Sequence, residues 1–242
     1  MSGHDDFYIG WQPQAPDGLA GRLRGVVVVL LVLVAVVAVL LVSRQGRFSP
    51  GVFEFGVERD FSGLVLETPY PALLTETGET FLLSAFGKHG AADFVRGLHG
   101  QPARLTGSLI YRDGRAMVEV HAVGTAEGLT LPTGAGVDHG EAVLTGEIVD
   151  SKCFLGVMKP GQAKPHRACA VRCISGGVPP VLLVVAEDGT ARHLLLAGAE
   201  GEAVNREVLP FVAERVEIRG TVRSFGDLEV LYADPSGYRR VR

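Results

Sequence analysis

Leu144-Thr-Gly-Glu-Ile-Val-Asp150 repeats the character of Phe61-Ser-Gly-Leu-Val-Leu-Glu67: an apolar run with glycine in third place and an acid at its end. Three further pairs follow in the same order. Gly78-Glu-Thr-Phe-Leu-Leu83 pairs with Gly189-Thr-Ala-Arg-His-Leu-Leu195, each a turn leading into a strand. Leu105-Thr-Gly-Ser-Leu-Ile110 pairs with Ile218-Arg-Gly-Thr-Val-Arg223. Asp113-Gly-Arg-Ala-Met-Val-Glu-Val120 pairs with Phe225-Gly-Asp-Leu-Glu-Val-Leu231. Internal repetition of this kind sets the architecture before any single element is weighed.

Within each copy a short helical segment precedes the last two strands: Ala91 to Leu98 in the first, Ala203 to Ala213 in the second. Three strands, a helix and two strands is the order of an OB barrel. Gly63, Gly107, Gly146 and Gly220 recur at equivalent strand positions, where a coiled barrel strand must bend. The expectation is an all-β protein with short helices. An OB-like five-stranded barrel occupies 52–123, a Gly-rich linker 124–140, and a second OB-like barrel 141–236.

The copies differ between their first and second strands. The first has only Thr68-Pro-Tyr-Pro-Ala72. The second inserts D-S-K-C-F-L-G-V-M-K-P-G-Q-A-K-P-H-R-A-C-A-V-R-C-I-S-G-G, Asp150 to Gly177, and this holds all three cysteines of the chain. The first barrel therefore reads as a plain structural or docking module. Any chemistry belongs to the second.

The spacing in the insertion is C-x12-H-x2-C-x3-C. If Pro165 to Ile174 is helical, His166, Cys169 and Cys173 fall at i, i+3 and i+7, within roughly 60° of one another around the axis. Cys153, leaving the end of a strand, can close the group from the other side. Three thiolates and an imidazole suit zinc(II), or copper(I), as a closed site. Asp150 is placed to orient a ligand from behind. Lys152, Lys164, Arg167 and Arg172 lie in the same segment, and cations near thiolates lower their pKa values. The helix ends at Gly176-Gly177 before Pro179-Pro180. Its start lacks a Ser, Thr, Asp or Asn cap, and Lys164 is a poor substitute.

Other readings of the cysteines stay open. Cys169 and Cys173 lie on adjacent turns with parallel Cβ vectors, so a bond between them is strained. Cys153 with either one is the reasonable disulfide, leaving a third thiol over. A Cys-His nucleophile lacks an evident orienting group. No G-x-S-x-G, phosphate-cradling glycine loop or C-x-x-C-H haem attachment occurs, and the remaining histidines form no i, i+4 pairs. The chain leans away from being an enzyme. A net charge of -4 over 242 residues gives no support for nucleic-acid binding, which needs a basic face.

Gly25 to Val42 carries no polar or charged side chain. As a helix its 18 residues span about 27 Å, close to the hydrocarbon thickness of a bilayer. A transmembrane helix is expected over 25–43, after a disordered tail over 1–24 in which Asp5-Asp-Phe-Tyr-Ile-Gly-Trp11 could meet a partner or the membrane interface. The exit, V-S-R-Q-G-R-F, offers no small-x-small cleavage site, so the segment reads as an uncleaved anchor. Arginines flank both ends equally. A short tail before one span, with the folded mass behind it, places that mass outside the cytoplasm, on the periplasmic side of the inner membrane.

The run G-E-I-V-D-S-K-C, followed by H-R-A-C-A-V-R-C-I-S-G-G-V-P, resembles a group of exported, membrane-anchored bacterial OB-like proteins of unassigned function. They carry a D-x-x-C strand end and then H-x-x-C-A-x-x-C. The likeness covers Val143 to about Tyr232 and implies location and fold. The haem chaperone of cytochrome c maturation is a looser analogy. Its H-x-x-x-Y motif has no counterpart in the histidine-free ending Y-A-D-P-S-G-Y-R-R-V-R, so haem is not carried over. The expected function is a membrane-anchored accessory protein with a metal-binding or redox-associated site, part of an electron-transfer system. It would work beside another membrane or extracytoplasmic protein. The alternatives are a structural adaptor with a disulfide-stapled loop, and a thiol-disulfide exchange protein.

Overall fold

The computed structural model describes residues 17–44, 51–129 and 136–241, which form two units: an apolar helix within 1–48 and a compact body over 49–242. The helix α1 runs from Asp17 to Arg44. Its start lies eight residues before Gly25, so 17–24, expected in the tail, are helical. The aromatic motif Asp5–Trp11 lies outside the described residues. Gly18–Ser43 is long and apolar enough to cross a membrane, and as an N-terminal segment it fits a membrane anchor or a signal sequence.

The body consists of two closed five-stranded barrels, as the repeat predicts. The first uses β1 (Val52–Phe53), β2 (Arg59–Leu66), β3 (Ala72–Leu74), β4 (Thr80–Ala85), β5 (His89–Gly90), β6 (Pro102–Arg112) and β7 (Arg115–Thr125), with the single-turn helix α2 (Ala92–Val95). Its closed path is β6-β2-β3-β4-β7 and back to β6, with β4 and β7 parallel. The second uses β8 (Val137–Asp150), the helix α3 (Ala163–Ser175), β9 (Pro180–Val185), β10 (Ala191–Ala197), β11 (Arg215–Phe225), β12 (Leu228–Tyr232) and β13 (Arg239–Arg240). It closes as β8-β9-β10-β12-β11, with β10 and β12 parallel. Both are the OB order, in which closure removes the exposed sheet edge.

The recurrent glycines have a steric reason. A Cβ at Gly63 would meet Leu74 O at 2.3 Å, and at Gly146 it would meet Leu183 O at 2.5 Å. At Gly107 and Gly220 it would meet Glu119 O at 2.2 Å and Tyr232 O at 2.3 Å. At each position the neighbouring strand's carbonyl takes the space of a side chain, which lets the strand coil tightly.

Two features differ from expectation. Val137 to Gly140, placed in the linker, open β8, and Gly124 and Thr125 end β7. The second copy's helical segment is mostly turns, with one 3-10 turn at Leu209–Phe211.

Each barrel has its own core: Val65, Leu73, Leu83, Leu105 and Val118 in the first, and Ile148, Leu182, Leu194, Val216, Ile218 and Leu231 in the second. Ala170 and Ile174 of α3 join the second core, so the inserted helix plugs that barrel. A third cluster spans both barrels. Tyr70, Leu82, Ile110 and Met117 pack with Phe154, Leu155, Val181, Leu195 and Val230. Burial of apolar area on this scale contributes about 25 cal/mol per Å² and makes the two barrels one body. Polar contacts register the seam: Val204 N–H donates to Tyr70 OH at 2.8 Å, and Thr80 N–H to Asp227 Oδ1 at 2.8 Å.

Candidate metal centre

β8 ends at Asp150, and the chain turns at once through a π-helical turn, Cys153–Val157. Asp150 caps that turn: its Oδ1 accepts from Cys153 N–H at 2.8 Å. Gly161 packs on the same turn, where a Cβ would meet Cys153 O at 2.5 Å. The chain then enters α3, slightly longer than the predicted 165–174. The missing N-cap side chain is supplied from outside the helix, since Ala163 N–H donates to Glu147 Oε1 on β8. At the far end Gly176 and Gly177 N–H satisfy the carbonyls of Arg172, Cys173 and Ile174.

This geometry brings Cys153 Sγ to 3.8 Å from Cys169 Sγ and 3.8 Å from Cys173 Sγ. All three are free thiols. Two thiolates on a tetrahedral ion with bonds of about 2.3 Å stand about 3.8 Å apart, so the spacing fits a shared ion. Cys153 and Cys173 are buried with Val178, and Cys169 is half-buried. His166 is buried, and its Nε2 lies 3.0 Å from Asp150 Oδ2. Asp150 thus reaches both the imidazole and the cysteine turn, which is how an orienting carboxylate acts.

The four predicted ligands do not form one set. They divide into Cys153, His166 and Cys169, and a second group of Asp150, Cys153 and Cys173, each with its ligand atoms within 4.8 Å of one another. Cys153 belongs to both. The reason is the helix rise. His166 and Cys173 share a face, but seven residues separate them by about 10.5 Å along the axis. Their angular agreement is real and their distance is too large. Asp150, expected only as an orienting acceptor, offers an oxygen to the second group. Either group could hold a metal ion.

The cations are also rearranged. Lys152 faces away from the sulfurs. It is buried and donates to Ala85 O at 2.6 Å, to Gly87 O at 2.8 Å and to the Glu119 carboxylate, all in the first barrel. Lys164 and Arg167 both pair with Glu214. The ammonium beside the thiols is Lys88 instead, on the β4–β5 turn, with Nζ 2.7 Å from Cys169 Sγ and 3.8 Å from Cys173 Sγ. That contact raises the Lys88 pKa. The Cys153 thiol is pushed up, first by its contact with Cys173 and then by burial, while the same contact holds the Cys173 thiol down. The first barrel is therefore part of the site, not only a docking module. Nothing in the local sequence around Lys88 marks it. Only the pairing of the two barrels could have found it.

No family model matches the chain, and no curated protein matches it in sequence.

Proposed function

We propose that this chain is a non-catalytic, membrane-anchored metal-binding accessory protein, with Cys153 the ligand common to either way of filling its site. Cys153, Cys169 and Cys173 supply thiolates, His166 supplies an imidazole, and Asp150 orients His166 or takes a coordination position itself. Zinc(II) and copper(I) are the ions this donor set selects. The observation that carries the reading is the pair of 3.8 Å sulfur–sulfur distances meeting at Cys153, with the His166 imidazole in one of the two groups that share this sulfur and the Asp150 carboxylate in the other. A proton on Nε2 donated to Asp150 Oδ2, 3.0 Å away, would leave the Nδ1 lone pair for an ion.

The helix Gly18–Ser43 supports a membrane anchor; that it is uncleaved and that the barrels lie outside the cytoplasm rest on the sequence, on the exit without a small-x-small site and the short tail before one span. The D-x-x-C and H-x-x-C-A-x-x-C runs support membership of the exported OB-like group described above. Their combination suits an accessory subunit of a membrane electron-transfer system, working beside another membrane or extracytoplasmic protein.

The test takes the full chain in detergent, purified without reductant, and measures bound metal and free thiols on one sample. Near one equivalent of zinc or copper, with all three thiols recovered after chelation, is the expected result. One free thiol and no metal would replace this reading with a disulfide-stapled adaptor. Protease access to the barrels in intact cells and in inverted vesicles tests the side of the membrane.

A further inference from the structure

A charged Lys88 cannot itself be a metal ligand. An ammonium repels a cation and offers it no lone pair, yet Lys88 Nζ stands 2.7 Å from Cys169 Sγ. N–H···O bonds have their mode at about 2.9–3.0 Å, and sulfur is a larger atom than oxygen. The two atoms are closer than a hydrogen bond to a thiol requires. Their separation is the span of two single bonds across a bridging oxygen.

The backbone on both sides holds Lys88 in place. Gly90 N–H donates to Gly176 O at 2.9 Å. A Cβ at Gly176 would meet Lys88 O at 1.9 Å, and one at Gly90 would meet Gly177 O at 2.2 Å, so the turn and the end of α3 touch backbone to backbone. On the other side the buried Lys152 ammonium grips Ala85 O and Gly87 O. Cys169 is half-buried whereas Cys153 and Cys173 are buried, so a small oxidant from solvent meets Cys169 first.

We propose that Lys88 and Cys169 are a redox modification site, joined on oxidation by dioxygen into an N–O–S cross-link that ties the first barrel to α3. The Cys169 sulfur and the Lys88 nitrogen together carry three protons, however these are shared between them. An S–O and an N–O bond form. Sulfur and nitrogen each give up two electrons, and the four electrons reduce one dioxygen. One oxygen atom becomes the bridge, and the other leaves as water with two of the protons. The third proton stays on nitrogen. Thiol reductants reverse the link. While it stands, Cys169 is withdrawn from the group it forms with Cys153 and His166; that consequence rests on the metal reading, whereas the cross-link itself does not.

The test uses the full chain in detergent, stripped with chelator so that metal content plays no part. It is reduced with dithiothreitol, desalted, exposed to air and read by intact and non-reducing peptide mass spectrometry. The expected product gains about 14 Da, one oxygen in and two hydrogens out, loses it again on reduction, and joins the Lys88 and Cys169 peptides. Lys88→Arg, Lys88→Ala and Cys169→Ser should abolish it, and Cys173→Ser should retain it. Circular dichroism checks that each variant is folded. The proposal is overturned if the reversible gain is missing from the wild type. It is equally overturned if the gain survives Lys88→Ala, or if Cys169 is found only as a disulfide or as sulfenic or sulfinic acid.

Discussion

Lys152 and Glu119 meet head to head across the seam between the barrels, with side chains only 2% and 4% exposed. Lys152 follows directly from the strand end that carries Asp150, and Glu119 lies on β7 of the first barrel. The ion pair therefore joins the turn that carries Cys153 to the barrel that supplies Lys88. Two backbone carbonyls complete the ammonium's shell, which is what a buried pair needs to offset its desolvation.

Removing one partner should be severe. Lys152→Met leaves the Glu119 charge and two carbonyls uncompensated in the interior, and should cost about 3–5 kcal/mol. Glu119→Gln should cost less, because Lys152 keeps both carbonyls and gains an amide oxygen. The double variant Lys152→Met, Glu119→Leu should recover much of the loss. Denaturant unfolding of the four proteins measures this. A loss within 0.5 kcal/mol for Lys152→Met would show that the pair is not buried in solution.

His193 should make stability pH-dependent. It packs its ring 5.1 Å from that of Phe154, and its Nε2 finds no hydrogen-bond partner among the described residues. Burial, with Arg115 and Arg112 nearby, holds its pKa down to about 4 against Asp113 and Glu229, which push the other way. The unfolded chain titrates near 6.5, so between these values the unfolded state binds more protons and stability rises with pH. The contribution is complete above about pH 6.5 and is lost as pH falls toward 4, about 3 kcal/mol in all. His193→Leu should flatten the stability difference between pH 4.5 and 7. Equal slopes in wild type and variant would refute this.

Metal affinity should rank the ligands by membership of the two groups. Cys153→Ser removes the shared donor and should abolish stoichiometric binding. His166→Ala and Cys173→Ser each spare one group and should weaken binding without abolishing it. Asp150→Asn should lower affinity by about 10–100-fold, the usual cost of losing an orienting carboxylate. Chelator competition reads all four. Undiminished binding in Cys153→Ser would remove the basis for the site.

Gly176→Ala tests the contact that seats Lys88. Gly176 has an ordinary φ of -84°, so the effect is one of space rather than backbone strain. The new methyl would lie 1.9 Å from Lys88 O. Relief of the overlap should cost about 1–3 kcal/mol and lift the turn from α3. Thermal unfolding measures the cost. Slower alkylation of Cys169 in the wild type than in the variant would show that the turn shields the sulfur.

Much of the fold was legible because strand segments declare themselves locally. Apolar runs, turn glycines and their repetition in order placed four of the five barrel strands in each copy; the remaining early strand, β3 in the first and β9 in the second, has no such repeat to mark it, and the structure delimits it. The helix over His166, Cys169 and Cys173 was legible too, since its C-terminal end is marked by Gly176, Gly177 and the prolines after them. The ligand arrangement was half legible. Helical angle follows from spacing, but whether two side chains on one face meet depends on the rise between them and on what stands opposite, and here Cys153 stands opposite both.

The rest lay in contacts between residues far apart along the chain. Lys88 and Cys169 are 81 positions apart, and Lys152 and Glu119 are 33 apart. The sequence determined two barrels, an apolar helix and an inserted cysteine segment, because those follow from local periodicity and turn chemistry. Only the tertiary structure decided which cation faces the thiols and how the donors divide. Those outcomes depend on how two apolar barrel faces pack together, and a one-dimensional pattern carries no distances across that seam.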